Sequence, residues 1–168
     1  KKIYEDVLMN LEYLSNYYND LITLIEKEVY MSPSSYLIAR NINIIFDIDN
    51  TLVPHGAPED ERSRKLFAHL KELGFKVVLL SNNKEPRVKM FNDAVQVSYI
   101  FKAGKPLKKN YLKAMEMMGT DKGNTLFVGD QLFTDVWGAK RTGIHNVLVQ
   151  PIDKKEEIQI VLKRYLEK

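Results

Sequence analysis

The chain has 168 residues, of which 45% are hydrophobic and 28% are charged, and it contains no cysteine. These values indicate a globular protein with a core of ordinary size, and they exclude a disulfide framework and a metal site built from thiolates. The formal net charge is +3, but residues 82–113 carry eight Lys or Arg against two Asp or Glu. A solvated helix face explains this basic segment better than nucleic-acid binding does, although it would also attract a phosphate-bearing substrate.

The first part of the chain is predicted to form an amphipathic helix over residues 3–30. Its apolar residues recur at steps of three and four and form one stripe: Ile3, Val7, Leu11, Leu14, Tyr18, Leu21, Ile25 and Val29. Proline and serine in residues 31–35 end this helix. We therefore divide the chain into an N-terminal helical extension, residues 1–40, and a core, residues 41–168. We expect the stripe to pack on the protein itself or on a second copy of the chain, with a membrane as the alternative.

From residue 42 onward, strand patterns alternate with helix patterns. Strands are predicted over residues 42–48, 76–80, 97–101, 124–128 and 146–149. Helices are predicted over residues 59–73, 85–94, 107–118, 132–142 and 153–167. Several strands are apolar throughout, as buried parallel strands are. The alternation predicts a doubly wound α/β protein with a parallel sheet, in which ligands bind beyond the carboxyl ends of the strands.

Two carboxylates, Asp47 and Asp49, stand where the first predicted strand ends. Side chains of a strand point alternately to its two faces, so these two can face the same way. Two anions placed together repel each other unless a cation or a proton compensates them. The pair therefore indicates a metal site, beside which one carboxylate can be a nucleophile and the other an acid or base.

Polar groups follow the other predicted strands as well. Ser81-Asn82-Asn83 follows the second strand and Lys105-Pro106 follows the third, whereas Gly129-Asp130 follows the fourth, with Asp135 beyond it. Because the carboxyl ends of parallel strands meet at one edge of a sheet, we expect all of these groups to converge on one crevice.

In their order along residues 42–150, these groups resemble the four motifs of the haloacid dehalogenase (HAD) superfamily. The first motif corresponds to Asp47-Ile48-Asp49-Asn50-Thr51, the second to Ser81, the third to Lys105 and the fourth to residues 129–135. More narrowly, the residues of these motifs resemble those of HAD subfamily IIIA. That subfamily includes the phosphatidylglycerophosphate phosphatases. The resemblance implies a three-layer Rossmann-like core and a hydrolase that acts on phosphoric monoesters.

The resemblance also implies a role for each motif. Asp47 would form an aspartyl-phosphate, and Asp49 would serve as the acid and base. Mg²⁺ would be held by Asp47, Asp130 and the backbone carbonyl of Asp49. Asp135 would either bind the ion through water or orient Lys105. The transferring phosphoryl group would be bound by Thr51, Ser81, Asn82, Lys105 and the amides around Ile48 to Asn50.

The spacing of the motifs limits what can cover the site. About thirty residues separate Asp49 from Ser81, and 24 positions lie from Ser81 to Lys105. One helix and one strand fill each interval, which leaves residues 53–58 as a hairpin flap. We therefore expect no large cap domain, and an open site that accepts a phosphate carried by a large molecule.

The sequence thus predicts a Mg²⁺-dependent phosphomonoester hydrolase, with phosphatidylglycerophosphate as the substrate that the resemblance implies. Alternatives are a phosphatase of a soluble sugar phosphate, nucleotide or phosphoprotein, a phosphoacceptor signalling domain of the receiver type, and a non-catalytic scaffold. In a receiver domain the Lys-Pro pair follows the last acidic group, whereas here Asp130 and Asp135 follow Lys105.

The sequence also leads to expectations about location and partners. The sequence shows no signal peptide. It also shows no apolar run of roughly 18 residues, the length that a membrane span needs. We expect a cytoplasmic protein, with peripheral contact at the inner face of the membrane if the substrate is a lipid phosphate. A homo-oligomer formed through residues 3–30 is a further expectation, and a nucleic-acid partner is not expected.

Overall fold

Five parallel strands form the central sheet of residues 43–153, the part of the chain that the computed structural model describes. Strands β1 to β5 comprise Asn43–Phe46, Lys76–Leu80, Ser98–Ile100, Thr125–Gly129 and His145–Leu148. They lie in the order β3-β2-β1-β4-β5, and each neighbouring pair is parallel. The predicted extension over residues 1–40 and its helix lie outside the described residues, and of the predicted helix 153–167 only the first residue is described.

Helices connect the strands. Helices α1 to α4 comprise Glu61–Glu72, Glu85–Val95, Lys108–Met118 and Trp137–Thr142, and a π-helical turn, Leu132–Val136, leads into α4. Asp60 caps the start of helix α1. Its carboxylate accepts a hydrogen bond from the Ser63 amide at 2.8 Å, and the Ser63 hydroxyl accepts one from the Asp60 amide at 2.9 Å. This reciprocal cap satisfies two amides that a helix start leaves without partners.

The side chains of β1 alternate between the two faces of the sheet. The Phe46 ring packs against Phe67 of α1 with 5.8 Å between ring centroids, and Phe67 in turn meets Phe91 of α2 at 6.1 Å. Ile45 belongs to a different cluster, which includes Phe127 and Tyr111 of α3. Helices therefore cover both faces of the sheet, which confirms the predicted doubly wound, three-layer α/β fold.

The strand order reverses at β1. The chain runs outward from β1 to β2 and β3, and it then returns to β4 on the other side of β1. Asp47 and Asp130 directly follow β1 and β4, and Phe46 lies in register with Val128. The two aspartates therefore enter the crevice at the switch point, where doubly wound sheets bind their ligands.

The intervals between the motifs agree with the absence of a cap domain. The interval from Asp49 to Ser81 holds α1 and β2, and that from Ser81 to Lys105 holds α2 and β3. Both intervals lie within the described residues, and neither contains a further domain. Among the described helices, none is long and apolar enough to cross a bilayer.

Three local predictions need correction. β1 ends at Phe46 rather than at residue 48, because the chain there enters a tight turn. Residues 53–58 do not form a paired hairpin, since a single isolated bridge joins Val53 to Asp49. The predicted helix 132–142 begins as the π-helical turn and becomes α-helical only at Trp137. The other described boundaries agree with the prediction within two residues.

Candidate active site

The turn after β1 presents both predicted catalytic aspartates. The Asp47 amide donates to the Val128 carbonyl at 3.0 Å, which fixes Asp47 beside β4. Asn50 adopts φ 61°, a left-handed conformation that asparagine tolerates better than most residues. Its amide donates to the Val53 carbonyl at 2.8 Å, so in this structure that amide holds the turn together rather than facing a phosphoryl group. The Asn50 carbonyl accepts a hydrogen bond from the Ile152 amide at 3.0 Å, which ties the turn to the segment after β5.

Three buried carboxylates gather at the switch point. One oxygen from each of Asp47, Asp130 and Asp135 lies within 4.8 Å of the others. Burial raises the pKa of Asp47 well above its ordinary value of 3.8; Lys105 lowers this pKa in part, and the charges of Asp135 and Asp130 raise it further. The hydroxyl of Thr51 donates to Asp130 Oδ1 at 3.2 Å. Such a cluster of hard oxygen ligands is suited to a divalent cation.

Lys105 bridges two of these carboxylates. Its Nζ lies 2.7 Å from Asp47 Oδ1 and 2.7 Å from Asp135 Oδ1, and its side chain is 3% exposed. Burial alone lowers the pKa of Lys105, but the charges of Asp135 and Asp47 outweigh burial and raise it above its ordinary value. The other oxygen of Asp135 accepts from the Gln131 amide at 3.1 Å. Asp135 therefore contacts Lys105 directly, as expected of a residue that orients the lysine.

Asp49 has a separate set of partners. Its Oδ1 accepts from Arg87 Nη2 at 2.8 Å and from the Gly56 amide at 2.7 Å, and its Oδ2 accepts from the Asn83 side-chain amide. The strand period predicted that Asp47 and Asp49 face the same way. Since β1 ends at Phe46, that period does not apply, and the two carboxylates contact different groups.

Arg87 is not among the residues that the sequence predicts for the site, and in the sequence it belongs only to the basic segment over residues 82–113. A positional signal was nevertheless present, because Arg87 lies in the first turn of α2, immediately after the second motif. That turn faces the edge of the sheet where ligands bind.

The second and third motifs are joined by Asn82. Its Oδ1 accepts from the Lys105 amide at 2.7 Å, and its Nδ2 donates to the Lys105 carbonyl at 3.3 Å. Ser81 is buried, and its hydroxyl accepts from the Asn83 amide at 3.2 Å. These contacts link the ends of β2 and β3, whereas the phosphate-binding roles of Thr51, Ser81 and Asn82 remain predictions.

Two further residues support the acidic cluster: Gly129, the first residue of the fourth motif, and Tyr111, which lies outside the motifs. A Cβ atom on Gly129 would lie 2.5 to 2.7 Å from side-chain atoms of Asp135, so no other residue fits there without displacing that carboxylate. The Tyr111 hydroxyl donates to the Thr134 carbonyl at 2.8 Å and thereby ties α3 to the π-helical turn. Burial raises the pKa of Tyr111, which therefore stays a neutral donor.

Similarity to known proteins indicates the family to which this site belongs. Residues 58–143 match the model of the haloacid dehalogenase-like hydrolase family. The chain is 37% identical over 144 residues to the Bacillus subtilis protein named "Probable phosphatase YqeG", and the match covers 84% of each chain. It is also 28% identical over 94 residues to the glyceraldehyde 3-phosphate phosphatase of Pyrococcus abyssi, which covers 51% of this chain and 40% of that protein.

A solved structure shares the fold. The HAD phosphatase of Thermococcus onnurineus superposes with a TM-score of 0.54 at 17% identity, and the match covers 71% of this chain and 90% of that one. The prediction of an enzyme of the HAD type is confirmed, so the alternatives of a receiver domain and of a scaffold lose their support. The family match and the relative at 37% identity together show that the chain belongs to the haloacid dehalogenase-like hydrolases.

Proposed function

We propose that this hydrolase cleaves phosphate monoesters through an aspartyl-phosphate formed on Asp47, with Mg²⁺ as its cofactor. The observation that carries the proposal is the buried cluster of Asp47, Asp130 and Asp135, in which the ammonium group of Lys105 bridges the first and the last. A nucleophilic carboxylate that attacks a phosphate dianion needs compensating positive charge. Both curated relatives are named as phosphatases, which supports the same reaction.

The reaction proceeds in two steps. A carboxylate oxygen of Asp47 bonds to phosphorus, the bond from phosphorus to the ester oxygen breaks, and the leaving oxygen takes a proton from Asp49. A water molecule then attacks the aspartyl-phosphate and gives a proton to Asp49, which releases inorganic phosphate and restores Asp47. Splitting the hydrolysis in this way replaces one difficult step by two easier ones.

The residues present fit Mg²⁺. Three buried carboxylates lie close together, and the ammonium group of Lys105 bridges two of them. Burial raises the pKa of Asp47 and the charges of the neighbouring carboxylates raise it further, so a cation here would stabilise its charged form. We assign the ion to Asp47, Asp130 and the backbone carbonyl of Asp49, and we assign Asp135 to the orientation of Lys105. When bound, Mg²⁺ would neutralise negative charge on the phosphoryl oxygens and on the cluster.

The phosphoryl group is assigned to the polar groups around this cluster. Lys105 supplies a fixed charge, and Ser81 lies buried at the end of β2. Thr51 and Asn82 remain candidates, although their side chains here contact Asp130 and the Lys105 backbone. Preorganised donors of this kind stabilise charge that develops in the transition state.

We further propose a phosphate on a large molecule as the substrate, with phosphatidylglycerophosphate as the first candidate. Two features support it: neither interval between the first three motifs holds a cap domain, and residues 82–113 are basic. The narrower resemblance of the motifs to subfamily IIIA points to the same lipid. On this proposal the enzyme is cytoplasmic and meets its substrate at the inner face of the membrane.

A soluble sugar phosphate is the second candidate. The Pyrococcus abyssi relative is named for glyceraldehyde 3-phosphate, and its match spans about half of this chain. The intervals between the first three motifs hold no cap domain, and a site without a cap also admits a small substrate.

The test is a phosphate-release assay with Mg²⁺ over four substrate groups: phosphatidylglycerophosphate in mixed micelles, sugar phosphates, nucleotides and phosphopeptides. We expect turnover of at least one group and the highest kcat/KM for the lipid. The Asp47→Asn variant is the control, and its release must fall to background. Release that is equal in this variant contradicts the covalent route, and preference for a sugar phosphate contradicts the lipid assignment.

A further inference from the structure

We infer that Arg87 is the positioning residue for Asp49, and that it fixes the Asp49 carboxylate where that carboxylate exchanges a proton with the leaving group. The inference rests on the proposed phosphomonoesterase function and adds a residue outside the four motifs to it.

The first observation is the geometry of the pair. Arg87 Nη2 lies 2.8 Å and Arg87 Nε lies 3.2 Å from the same oxygen, Asp49 Oδ1. The Arg87 side chain is 13% exposed and that of Asp49 is 10% exposed, so water screens the pair far less than it screens a surface ion pair. Two donors from one planar guanidinium fix the direction of the carboxylate as well as its distance.

The second observation is that three separate segments converge on Asp49. The Gly56 amide comes from the turn after the first motif, Asn83 from the end of β2, and Arg87 from α2. Asn83 is itself held, because its amide donates to the Ser81 hydroxyl and its carbonyl accepts from the Lys102 amide at 2.8 Å. Arg87 is the charged member of the three, and it reaches Asp49 from a helix.

Positioning matters because proton transfer depends on distance. A general acid or base must come within hydrogen-bond reach of the atom it serves, and a displacement of about 1 Å can cost about 100-fold in rate. Without Arg87, Asp49 keeps two neutral donors and no fixed charge on its Oδ1. The carboxylate then samples other rotamers, and the step that needs its proton slows down.

The experiment combines Arg87→Gln and Asp49→Asn in a double-mutant cycle with two soluble substrates in Mg²⁺. β-Glycerophosphate has an alkoxide leaving group that needs a proton, whereas p-nitrophenyl phosphate releases a phenolate that does not. We expect Arg87→Gln to lower kcat for β-glycerophosphate about 10- to 100-fold and kcat for p-nitrophenyl phosphate several-fold less, with KM little changed. In the Asp49→Asn background, Arg87→Gln should change kcat by less than about two-fold, because the residue it positions is already neutral.

Two further variants serve as controls. Lys89 lies on the same helix with an exposed side chain and pairs with Glu85 at 3.2 Å, so Lys89→Gln removes the same charge without touching Asp49. Its kcat should equal that of the unchanged protein. Arg87→Lys keeps the charge but loses the two-donor geometry, and its kcat should lie between those of the unchanged protein and Arg87→Gln.

Several results would overturn the inference. An equal loss in the Asp49→Asn background would mean that Arg87 acts on the fold rather than through Asp49. Equal losses with both substrates would place the effect on hydrolysis of the aspartyl-phosphate, which both share, and would contradict a role of Arg87 in proton transfer to the leaving group. A rise in kcat for Arg87→Gln would mean that Arg87 holds Asp49 away from the leaving group.

Thermal melts separate this inference from the proposed function. We expect the midpoint losses of Arg87→Gln and Asp49→Asn to be non-additive in the double variant, because both remove one ion pair. If the unchanged protein hydrolyses no phosphate monoester, the proposed function fails and the proton-transfer role of Arg87 fails with it, while non-additive midpoints still support the ion pair. Additive midpoint losses would contradict the ion pair itself, whatever the activity.

Discussion

At the scale of single residues, Asp47 lies in an electrostatically unfavourable place. It is buried beside Asp130 and Asp135, and the ammonium group of Lys105 compensates the cluster only in part. Carboxylates are seldom buried together for stability, because desolvation and mutual repulsion both oppose their charges. The buried carboxylates therefore lower the free energy of unfolding, as is common at sites that bind a cation and a phosphate.

We predict that Asp47→Asn abolishes turnover and raises the melting midpoint of the metal-free protein at neutral pH, because it removes a buried negative charge that lies beside two others. The folded pKa of Asp47 lies above its ordinary value of 3.8, so between these two values the folded state keeps a proton that the unfolded state has lost. The stability of the unchanged protein therefore falls as pH rises through that window. The asparagine variant has no such loss, so its advantage should shrink as pH falls towards 3.8.

Chelator-treated protein and a series of thermal melts across pH give the measurement. A midpoint for Asp47→Asn that lies below that of the unchanged protein at neutral pH would contradict the electrostatic argument. Turnover that survives in this variant would contradict the nucleophile assignment.

At the scale of elements, the junction of β4 with the π-helical turn positions the fourth motif. Gly129 is the last residue of β4, and Asp135 packs directly against its backbone. Asp135 then holds Lys105, which holds Asp47. Three charged groups thus depend on one backbone contact that only glycine permits.

We predict that Gly129→Ala lowers stability by about 1–3 kcal/mol and reduces kcat by at least about ten-fold. The added methyl group would overlap the Asp135 side chain and displace it from Lys105. Gly123→Ala is the matched control, because Gly123 lies in an exposed turn where a Cβ meets one carboxylate oxygen at 3.2 Å. Melts and kinetics of both variants decide the matter, and equal behaviour of the two would refute the role given to Gly129.

The elements and the motif residues were largely predictable from the sequence, because each leaves a local signal. Strands such as β4 are continuous apolar runs, and helices end at glycines such as Gly119 in the left-handed conformation. The four strand ends carried polar residues in the expected order. Packing a doubly wound sheet then required those ends to meet.

The contacts within the site were less predictable, because they depend on turns and side-chain conformers. The turn at Asn50 ends β1 early, and this separates the Asp49 carboxylate from that of Asp47. The pairing of Arg87 with Asp49 joins positions 38 residues apart, and neither periodicity nor composition signals it. The sequence of the π-helical turn likewise predicts an ordinary α-helix.

At the scale of the whole molecule, the metal should couple activity to stability. We predict that a chelator eliminates turnover, that Mg²⁺ restores it, and that Ca²⁺ supports little, because its looser coordination positions the phosphoryl group poorly. Mg²⁺ should also raise the melting midpoint of the unchanged protein, since binding to the folded state stabilises it. Asp130→Asn should lose most of this rise. Full activity in excess chelator would contradict the metal assignment.

Residues 1–40 lie outside the described part of the chain, and their role can be tested by deletion. The sequence predicts one apolar stripe over residues 3–30. Burial of this stripe is favourable by roughly 25 cal/mol for each Å² of apolar surface removed from water. The extension carries four Lys or Arg against six Asp or Glu, which disfavours anionic lipid, so we predict packing against protein. Removing residues 1–32 should lower solubility or change the mass in solution. If the shortened protein keeps both and loses only liposome binding, the membrane alternative is correct.

The hydrogen bond from the Ile152 amide to the Asn50 carbonyl has a consequence for how the protein is made. A ribosome delivers Asp47 before β4, so β1 lacks this neighbouring strand until residue 129 has emerged. The turn that carries the nucleophile gains its last tether about one hundred residues after Asn50 has been synthesised. A nascent chain therefore carries the catalytic aspartates long before it can use them. Catalytic competence should appear late in cotranslational folding, after the second half of the sheet has joined the first.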